Sequence, residues 1–470
     1  MDTKLLTPDP DARPRFRALA DRLCAAVTTG EIPAGAKLPP VRDLAYDLGI
    51  SPGAVARAYR LGVERGVLEA TVGRGTFARS GLAGCPAPVP PMAVEALVSE
   101  GPAETLDLRN NQAIDVGQDA EIGLALQRLL ERSGGAPPLT GYRRREDDFE
   151  PIEIMAGWLR TIGVPADPER LLITPGAQAG VVAAMATLAR GGTGIALTPP
   201  LLHPGLRDAA AILGTRLEPV PADADGILPD ALDAACARLR PDSVQLTATL
   251  HNPTLTIMPP ERRAAIVEIV RRRNTSIIED DVYGHLLEPP TESFAALAPE
   301  RTWYVGSLSK CVAAGIRVGL VLTPPGRTMA TLRAHQAFAH GTPWLIKQIA
   351  GELVRTGAAE RIRRKVLVET ASRAALADRL LGPYGAVTHP AASFVYVPLA
   401  EPWTSTDFVA AAAGAGVLLP PPTVYRVAKS TPDFVRIALG ARTGRAGLEE
   451  GLHRLAKLLR EGTCDCAMVT

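Results

Sequence analysis

A lysine flanked by hydroxyl groups gives this sequence its sharpest chemical signal. Ser307, Ser309 and Lys310 follow a short apolar run, and Arg317 comes seven residues after the lysine. A lysine amine can form a Schiff base with an aldehyde cofactor, while two hydroxyls and an arginine can hold a phosphate dianion. The alternative is an ordinary lysine on a surface loop. The motif favours a site for a phosphate-bearing aldehyde.

Three more side chains at predicted strand ends suit the ring of such a cofactor. Asp280 ends one apolar run, and a buried carboxylate there could keep a pyridinium nitrogen protonated. Tyr283 could donate to the phenolic oxygen of the ring, and Asn252, after the preceding run, could reach the same oxygen. Each has an ordinary structural alternative, such as a helix-capping Asp or a turn formed by Asn-Pro. Their common place at strand ends favours one shared site.

A turn from strand to helix offers a second group of phosphate contacts. Gly176, Ala177 and Gln178 lie where an apolar run passes into a helical pattern. Backbone N–H groups and the dipole at a helix N-terminus suit a phosphate. A glycine that merely ends the strand is the alternative.

One late arginine is a candidate for ligand recognition. Arg436 lies between Val435 and Ile437 on a predicted strand. A partly buried arginine needs an anionic partner. That partner is either the carboxylate of a ligand or a structural Asp or Glu, and the sequence leaves both open.

The elements that must position these residues form an alternating pattern. Short apolar runs alternate with helical periodicity, which predicts a mostly parallel sheet covered by helices. In such sheets ligands bind outside the carboxyl ends of the strands. The predicted strands are Leu171–Thr174, Gly194–Thr198, Ser243–Leu250, Thr275–Asp281, Thr302–Ser307 and Val318–Thr323, and the helices between them include Gln178–Leu188 and Pro260–Arg273.

Residues 106–460 resemble the fold-type-I pyridoxal-phosphate aminotransferases over nearly their whole length. The resemblance implies the α/β fold of that family, with a mostly parallel sheet, and pyridoxal 5′-phosphate as cofactor. It also implies that Arg436 grips a substrate carboxylate. In the family pattern Lys310 carries the Schiff base, Asp280 pairs with the pyridine nitrogen, Asn252 and Tyr283 contact the phenolic oxygen, and the phosphate contacts are Ser307, Ser309, Arg317, Gly176, Ala177 and Gln178.

The chain departs from that pattern at several places. Where the family stacks an aromatic ring on the cofactor, this sequence has Leu202 and His203, and either could occupy the position. Tyr142 resembles a tyrosine that reaches the phosphate of the other subunit, yet three arginines follow it. Leu255 replaces the glycine usual after Asn-Pro-Thr. These departures bear on efficient catalysis more than on cofactor binding.

The first 80 residues have the plan of a winged helix. Helical spacing predicts helices over Arg15–Thr28, over Val41–Leu48, and from the N-cap Ser51 to Arg65. Two short strands, Val67–Ala70 and Thr76–Arg79, follow around a glycine-rich turn. This stretch holds 12 Lys and Arg against 9 Asp and Glu, so it is the end of the chain that we expect to meet DNA.

The head resembles the GntR type of winged helix through the segments Leu38–Ala45, Leu48–Ser51 and Gly73–Phe77. In a helix-turn-helix the second helix enters the major groove. Val55 and Tyr59 should pack inward. A winged helix that binds protein instead of DNA is the alternative. The predicted DNA-contacting residues are Arg42, Ser51, Gly53, Arg57 and Arg74.

A GntR head on an aminotransferase body resembles the MocR group of regulators. The resemblance implies binding to promoter DNA, a head-to-tail homodimer, and a body that senses an amino compound by its exchange onto the cofactor as an external aldimine. An active aminotransferase with a DNA-binding head is the alternative, because Lys310, Asp280 and Arg436 are also what transamination needs. A binding protein that has lost the cofactor is the third.

Bulk properties set the frame for these predictions. The 470 residues suggest several domains, which we place at 1–80, 81–105 (a linker rich in Pro, Gly and Ala) and 106–470. The composition, with 46% hydrophobic and 21% charged residues, is that of a globular protein. Six scattered cysteines indicate a reducing compartment and no metal site, and no apolar run is long enough to span a membrane. We therefore expect a cytoplasmic protein.

Overall fold

The computed structural model describes most of the chain and divides it into two compact units, Met1–Met92 and Ala93–Thr470. The division falls inside the segment predicted as a linker. Arg74, Tyr142 and all but the last residue of that linker lie outside the described residues. The structure describes residues 15–28, 31–33, 35–64, 67–71, 75–78, 105–134, 139–141, 148–189, 194–428, 431–440 and 444–467.

The described residues of the first unit form three helices and a hairpin. Leu19, Leu23 and Val27 recur at helical spacing and are all buried, so the first helix packs one apolar face against the rest of the unit. The hairpin strands pair antiparallel. The elements are α1 (Arg15–Thr28), α2 (Val41–Asp47), α3 (Pro52–Glu64), β1 (Leu68–Thr71) and β2 (Gly75–Ala78).

The second unit is built from short strands alternating with helices. Its strands are β3 (Leu106–Asp107), β4 (Leu171–Thr174), β5 (Ile195–Thr198), β6 (Arg216–Pro219), β7 (Ala222–Asp223), β8 (Gly226–Ile227), β9 (Ser243–Leu246), β10 (Ser276–Asp280), β11 (Thr302–Ser307), β12 (Gly319–Leu322), β13 (Phe394–Pro398), β14 (Val417–Leu418) and β15 (Phe434–Ala438). Its helices are α4 (Gln118–Arg132), α5 (Phe149–Arg160), α6 (Ala177–Leu188), α7 (Pro204–Leu213), α8 (Pro229–Leu239), α9 (Pro260–Arg273), α10 (Phe294–Leu297), α11 (Thr328–Ala339), α12 (Trp344–Arg355), α13 (Ala358–Leu381), α14 (Ser405–Gly414) and α15 (Gly444–Ala467).

Seven of the described strands form the main sheet, in the order β4-β12-β11-β10-β9-β5-β6. All neighbours run parallel except β12, which is antiparallel to both β4 and β11. The prediction of a mostly parallel sheet is therefore confirmed. The sequence missed β6, because Arg216–Pro219 alternates charged with apolar residues and lies at the sheet edge. Strand β9 ends four residues earlier than predicted, and Leu250 beyond it has a φ of 50°.

Helices cover both faces of the sheet. On β12, Leu320 and Leu322 join the apolar cluster of α5, α12 and α13, while Val321 between them joins the cluster of α6 and α7. This alternation is what a strand buried on both faces requires.

A smaller layer completes the second unit. Strands β13 and β15 pair antiparallel, and α13, α14 and α15 pack around them in a separate apolar cluster. Among the described residues, no helix is long and apolar enough to cross a membrane.

Candidate cofactor site

A cavity of about 270 Å³ lies at the ends of the central strands. Nearly every residue predicted to hold a cofactor lines it, although these residues are far apart in the sequence. The lining consists of Asn110, Asn111, Ala177, Gln178, Val181, His203, Thr247, Asn252, Asp280, Val282, Tyr283, Ser307, Ser309, Lys310, Arg317 and Arg436.

Lys310 enters this cavity from the loop after β11. Its Nζ donates to the backbone oxygen of Asn111 at 2.5 Å. Burial, together with the positive charges of Arg436 and Arg317, lowers the pKa of the Lys310 amine to about 8, although Asp280 acts in the opposite direction. At a given pH below its pKa, a larger fraction of this amine is therefore neutral than for an ordinary lysine, and the neutral amine is the form that attacks an aldehyde carbon.

Asp280, at the end of β10, is the carboxylate that lines the cavity. Burial and the neighbouring Asp281 raise the pKa of Asp280 to about 7, and its Oδ1 is buried without a hydrogen-bond partner in the described part of the chain. Asp281 accepts a hydrogen bond from Tyr304 Oη at 3.0 Å and is not among the residues that line the cavity. A cationic ring nitrogen would pair with the free oxygen of Asp280.

Asn252 and Tyr283 form a polar wall with a residue that sequence reasoning missed. Asn111 donates from Nδ2 to Tyr283 Oη at 3.0 Å, and its Oδ1 accepts from Ser393 Oγ at 2.6 Å. Asn252 is buried, and its Oδ1 has no partner among the described residues. The only sequence feature that could have indicated Asn111 is the pair of adjacent asparagines at positions 110 and 111, which lies before the predicted strands.

The opposite end of the cavity gathers the groups suited to a phosphate. Gly176 precedes α6 with a φ of 85°, and a Cβ there would lie 2.5 Å from Arg317 Nη2. The Ser309 amide donates to Ser307 Oγ at 2.9 Å, and the two hydroxyl oxygens lie 2.8 Å apart. The N-terminus of α6, two hydroxyls and a guanidinium thus converge where only glycine fits.

The structure distinguishes between the two candidates for the wall above the ring. His203 lines the cavity, whereas Leu202 is 1% exposed and packs into the apolar cluster of α6 and α7. Burial and the charges of Lys310 and Arg436 lower the pKa of His203 to about 3, so the imidazole is neutral. Because its Nδ1 accepts from the Gly205 amide at 3.2 Å, the ring hydrogen is on Nε2.

Arg436, on β15, is 2% exposed and offers one edge to the cavity. Its Nε donates to Tyr425 Oη at 2.8 Å and its Nη2 to the backbone oxygen of Arg109 at 2.5 Å. Nη1 is buried and unpaired within the described residues. The sequence left open a structural carboxylate partner, but the partners observed here are neutral oxygens, which favours a ligand acid.

These features fit pyridoxal 5′-phosphate. The Oδ1 of Asp280, unpaired among the described residues, could accept from a protonated ring nitrogen, and the side-chain N–H of Asn252 could donate to a ring oxygen. Lys310 lies in the same cavity for the aldehyde, and the α6 end is suited to the phosphate. A ligand with a cationic ring nitrogen and an acid group would give partners to Asp280 Oδ1 and Arg436 Nη1, which lack partners among the described residues.

Four of the five predicted DNA-contacting residues are described by the structure, and they lie on α2, on α3 or directly before α3. Arg42 on α2 and Gly53 and Arg57 on α3 are exposed, whereas Val55 and Tyr59 on α3 are buried, as expected. The other features of this surface are the Ala54 amide donating to Ser51 Oγ at 3.2 Å and the Arg57 guanidinium 5.9 Å from the ring centroid of Phe16.

The comparisons with known proteins agree with this architecture. Residues 142–455, more than half of the chain, match the family described as aminotransferase class I and II. This chain belongs to that family. Residues 16–78 match the gntR family of bacterial regulatory proteins, so the aminotransferase class I and II body follows a GntR-type head.

Two relatives are named as regulatory proteins. The uncharacterized HTH-type transcriptional regulator YdeF of Bacillus subtilis is 25% identical over 462 residues, which is 97% of this chain and 96% of YdeF. The probable rhizopine catabolism regulatory protein MocR of Rhizobium meliloti is 26% identical over 380 residues, 75% of this chain and 74% of MocR.

A solved structure shows the same fold for the body. The α-aminoadipate aminotransferase LysN from Thermus thermophilus superimposes with a TM-score of 0.70 at 24% identity, covering 79% of this chain and 95% of LysN. The chain is therefore a GntR-type regulator fused to a pyridoxal-phosphate-binding, aminotransferase-like body, as the sequence predicted.

Proposed function

We propose that this chain is a transcription regulator of the MocR group whose body senses an amino compound. The carrying observation is that Asp280 Oδ1, Asn252 Oδ1 and Arg436 Nη1 are buried, unpaired among the described residues, and part of side chains that line the same cavity as Lys310. When bound, pyridoxal phosphate supplies an aldehyde carbon that primary amines attack reversibly. An effector amine would compete there with Lys310, and its acid group would bind Arg436.

The roles of the individual residues follow from their places. Asp280 holds a proton at the ring nitrogen, and Lys310, with its lowered pKa, is a good leaving amine and a good returning one. His203 is neutral and walls the ring from the side of α7. We assign the phosphate to Ser307, Ser309, Arg317 and the turn of Gly176, Ala177 and Gln178.

We assign the response to DNA binding by the head. Arg42, Ser51, Gly53 and Arg57 form the candidate DNA surface, and two copies in a head-to-tail homodimer would read two half-sites. Arg74 and Tyr142 lie outside the described residues. We assign to Arg74 a contact with DNA, and to Tyr142 a contact with the phosphate in the partner subunit. The effector shifts the equilibrium only by its differential affinity for the two states of the regulator.

A second candidate is an active aminotransferase with a DNA-binding head. The observation that favours it is the complete set of Lys310, Asp280 and Arg436 around one cavity. The similar LysN structure holds N-(5′-phosphopyridoxyl)-L-leucine, an amino acid joined to the cofactor. Turnover with amino donors and a keto acid separates the two candidates.

The proposal is tested with the full chain loaded with pyridoxal phosphate. We expect wild type to be yellow, Lys310→Ala to lose the visible band, and alanine, β-alanine or γ-aminobutyrate to change both the band and the affinity for the DNA that flanks the gene. Arg436→Lys should leave the band and basal DNA binding intact and weaken binding of the amino acid by roughly 1.5–3 kcal/mol, the usual contribution of a hydrogen bond to a charged group. The effect of the amino acid on DNA binding should fall in parallel.

Three results would count against parts of the proposal. A colourless wild type after incubation with pyridoxal phosphate would show that the cavity does not take the cofactor. A band that responds to amino acids while DNA affinity stays constant, with measurable turnover, would favour the aminotransferase. A lower melting temperature of Arg436→Lys with an unchanged response would make the arginine structural.

A further inference from the structure

Tyr425 contacts both the arginine of the cavity and the segment that carries His203. Its side chain is completely buried, and its Oη accepts the hydrogen bond of Arg436 Nε at 2.8 Å. The Arg436 guanidinium also lies 5.6 Å from the centroid of the Tyr425 ring. The tyrosine therefore holds the guanidinium by a hydrogen bond and by its ring face.

This contact determines which edge of Arg436 is available to a ligand. Nε is occupied by Tyr425 and Nη2 by the Arg109 backbone, so the plane of the guanidinium is fixed from two sides. Nη1 is the buried nitrogen left without a partner in the described part of the chain. Without the hydroxyl of Tyr425, Nε would be an unsatisfied buried donor, and the plane would be held from one side only.

The backbone around Tyr425 is hydrogen-bonded to the segment before His203, which lines the cavity. The Leu202 amide donates to the Tyr425 oxygen at 2.8 Å, and the Val427 amide donates to the Pro200 oxygen at 2.9 Å. Leu201 and Arg426 form an antiparallel bridge between these two bonds. Residues 425–427 thus pair with residues 200–202, directly before the histidine that walls the cavity.

We propose that Tyr425 is a positioning residue for the acid group of the ligand. It presents Arg436 Nη1 to the cavity and ties that nitrogen to the segment before His203. The ligand class it selects is a primary amine that also bears a carboxylate or sulfonate. This inference rests on the proposed function, because it takes the cavity to receive an amino compound. A tyrosine that only fills space in the core is the competing interpretation.

The experiment compares Tyr425→Phe with wild type as the full chain loaded with pyridoxal phosphate. The ring of phenylalanine keeps the packing, and only the hydroxyl is lost. The matched control is Tyr384→Phe, because Tyr384 packs against the apolar cluster of α13–α15 and is not among the described residues that line the cavity. The probes are alanine, β-alanine and γ-aminobutyrate, n-propylamine as an amine without an acid, and propionate as an acid without an amine.

We expect Tyr425→Phe to lower the affinity for propionate about tenfold, measured by calorimetry. The affinity for the best-binding amino acid, measured by the cofactor absorbance, should also fall about tenfold. The response to n-propylamine should stay within about twofold of wild type, since that amine does not use Arg436. Tyr384→Phe should leave all three values unchanged. The ratio between acid-bearing and acid-free ligands is a quantity that loss of packing alone would not change.

The link to the cavity wall has its own measurement. Propionate at about ten times its Kd should slow amide hydrogen exchange of Leu202 and Val427 about tenfold in wild type, because binding stabilises the paired segments. Tyr425→Phe at an equally saturating concentration should lose this protection.

The outcomes separate the alternatives. Equal losses for propionate and n-propylamine with a lower melting temperature would overturn the inference in favour of packing, as would unchanged propionate affinity in Tyr425→Phe or a wild type that does not bind propionate. If wild type binds propionate through Tyr425 but no amine changes the cofactor absorbance, the positioning role stands and the proposed amine exchange fails.

Discussion

At the scale of single residues, the electrostatics of Lys310 predict how the protein acquires its cofactor. Burial lowers the pKa of the amine to about 8, well below the ordinary value for lysine, and only the neutral amine attacks an aldehyde. The neutral fraction rises as the pH rises toward the pKa and then saturates. We therefore expect the rate of pyridoxal phosphate capture by the cofactor-free protein to rise about tenfold per pH unit below about pH 8 and to level off above it.

The measurement is the growth of the visible absorbance band between about pH 6 and about pH 10. Nα-acetyl-lysine serves as the control, since its rate should keep rising to about pH 10.4, the ordinary pKa of lysine. A protein rate that also keeps rising to that pH would show that the surroundings of Lys310 do not lower its pKa.

At the scale of elements, the turn between β4 and α6 should be intolerant of any side chain. Gly176 has a φ of 85°, and a Cβ would meet the Arg317 guanidinium. Gly163 provides a control for a positive φ, because its φ is 80° but nothing lies within 4 Å of a Cβ there. Gly163→Ala should lose about 1–2 kcal/mol of unfolding free energy from left-handed backbone strain. Gly176→Ala should lose more, because its φ of 85° with a ψ of 163° is a conformation that is essentially restricted to glycine.

Only Gly176→Ala should also lower the affinity for pyridoxal phosphate, by about tenfold or more, because the new methyl group displaces Arg317 from the end of the cavity suited to the phosphate. Chemical denaturation of the cofactor-free variants gives the strain, and equilibrium titration gives the cofactor affinity. Equal cofactor affinities in the two variants would remove Arg317 and the turn from the phosphate site.

The elements also show how far the sequence could predict the site. The position of Lys310, Asp280 and Asn252 in one cavity was predictable, because each lies at or beyond the end of an apolar strand and parallel strands bring their carboxyl ends together. The family resemblance already chose Asp280 over the adjacent Asp281, and in the structure Asp280 lines the cavity whereas Asp281 accepts a hydrogen bond from Tyr304.

The roles of Asn111 and Tyr425 could not be predicted from the sequence, for a different reason. Asn111 contacts Tyr283 across 172 positions of sequence, and Tyr425 reaches Arg436 from a short turn without helical or strand periodicity. Their roles arise from tertiary contacts: the pair of asparagines at 110 and 111 does not indicate what Asn111 contacts, and no local pattern marks Tyr425. The edge strand β6 was missed because half-exposed residues weaken its apolar pattern.

At the scale of the whole molecule, DNA binding should divide the head arginines by role. Arg42 on α2 and Arg57 on α3 are both exposed. We expect Arg42→Ala to weaken binding to all sequences alike and to lower the salt slope by about one, because it removes a phosphate contact. Arg57→Ala should instead change the preference among sites.

The control is Arg22→Ala, because Arg22 already pairs with Glu31 at 2.8 Å within the head. Fluorescence anisotropy of a promoter duplex and of a random duplex over several salt concentrations provides both quantities. Equal affinity of wild type for the two duplexes at every salt concentration would contradict a sequence-specific regulator.

Asp280 and Asn252 each have a side-chain oxygen with no partner in the part of the chain that the structure describes, and this has a consequence for the protein in a cell. A fold that buries polar atoms without partners bears a free-energy cost until a ligand satisfies them. Pyridoxal phosphate at about one hundred times its Kd would add about 2.7 kcal/mol to the folded state by mass action. Because unfolded chains are removed by proteases, the number of regulator molecules in the cell should follow the supply of vitamin B6. Starvation for the vitamin would therefore lower the amount of regulator, in addition to any effect on its DNA binding.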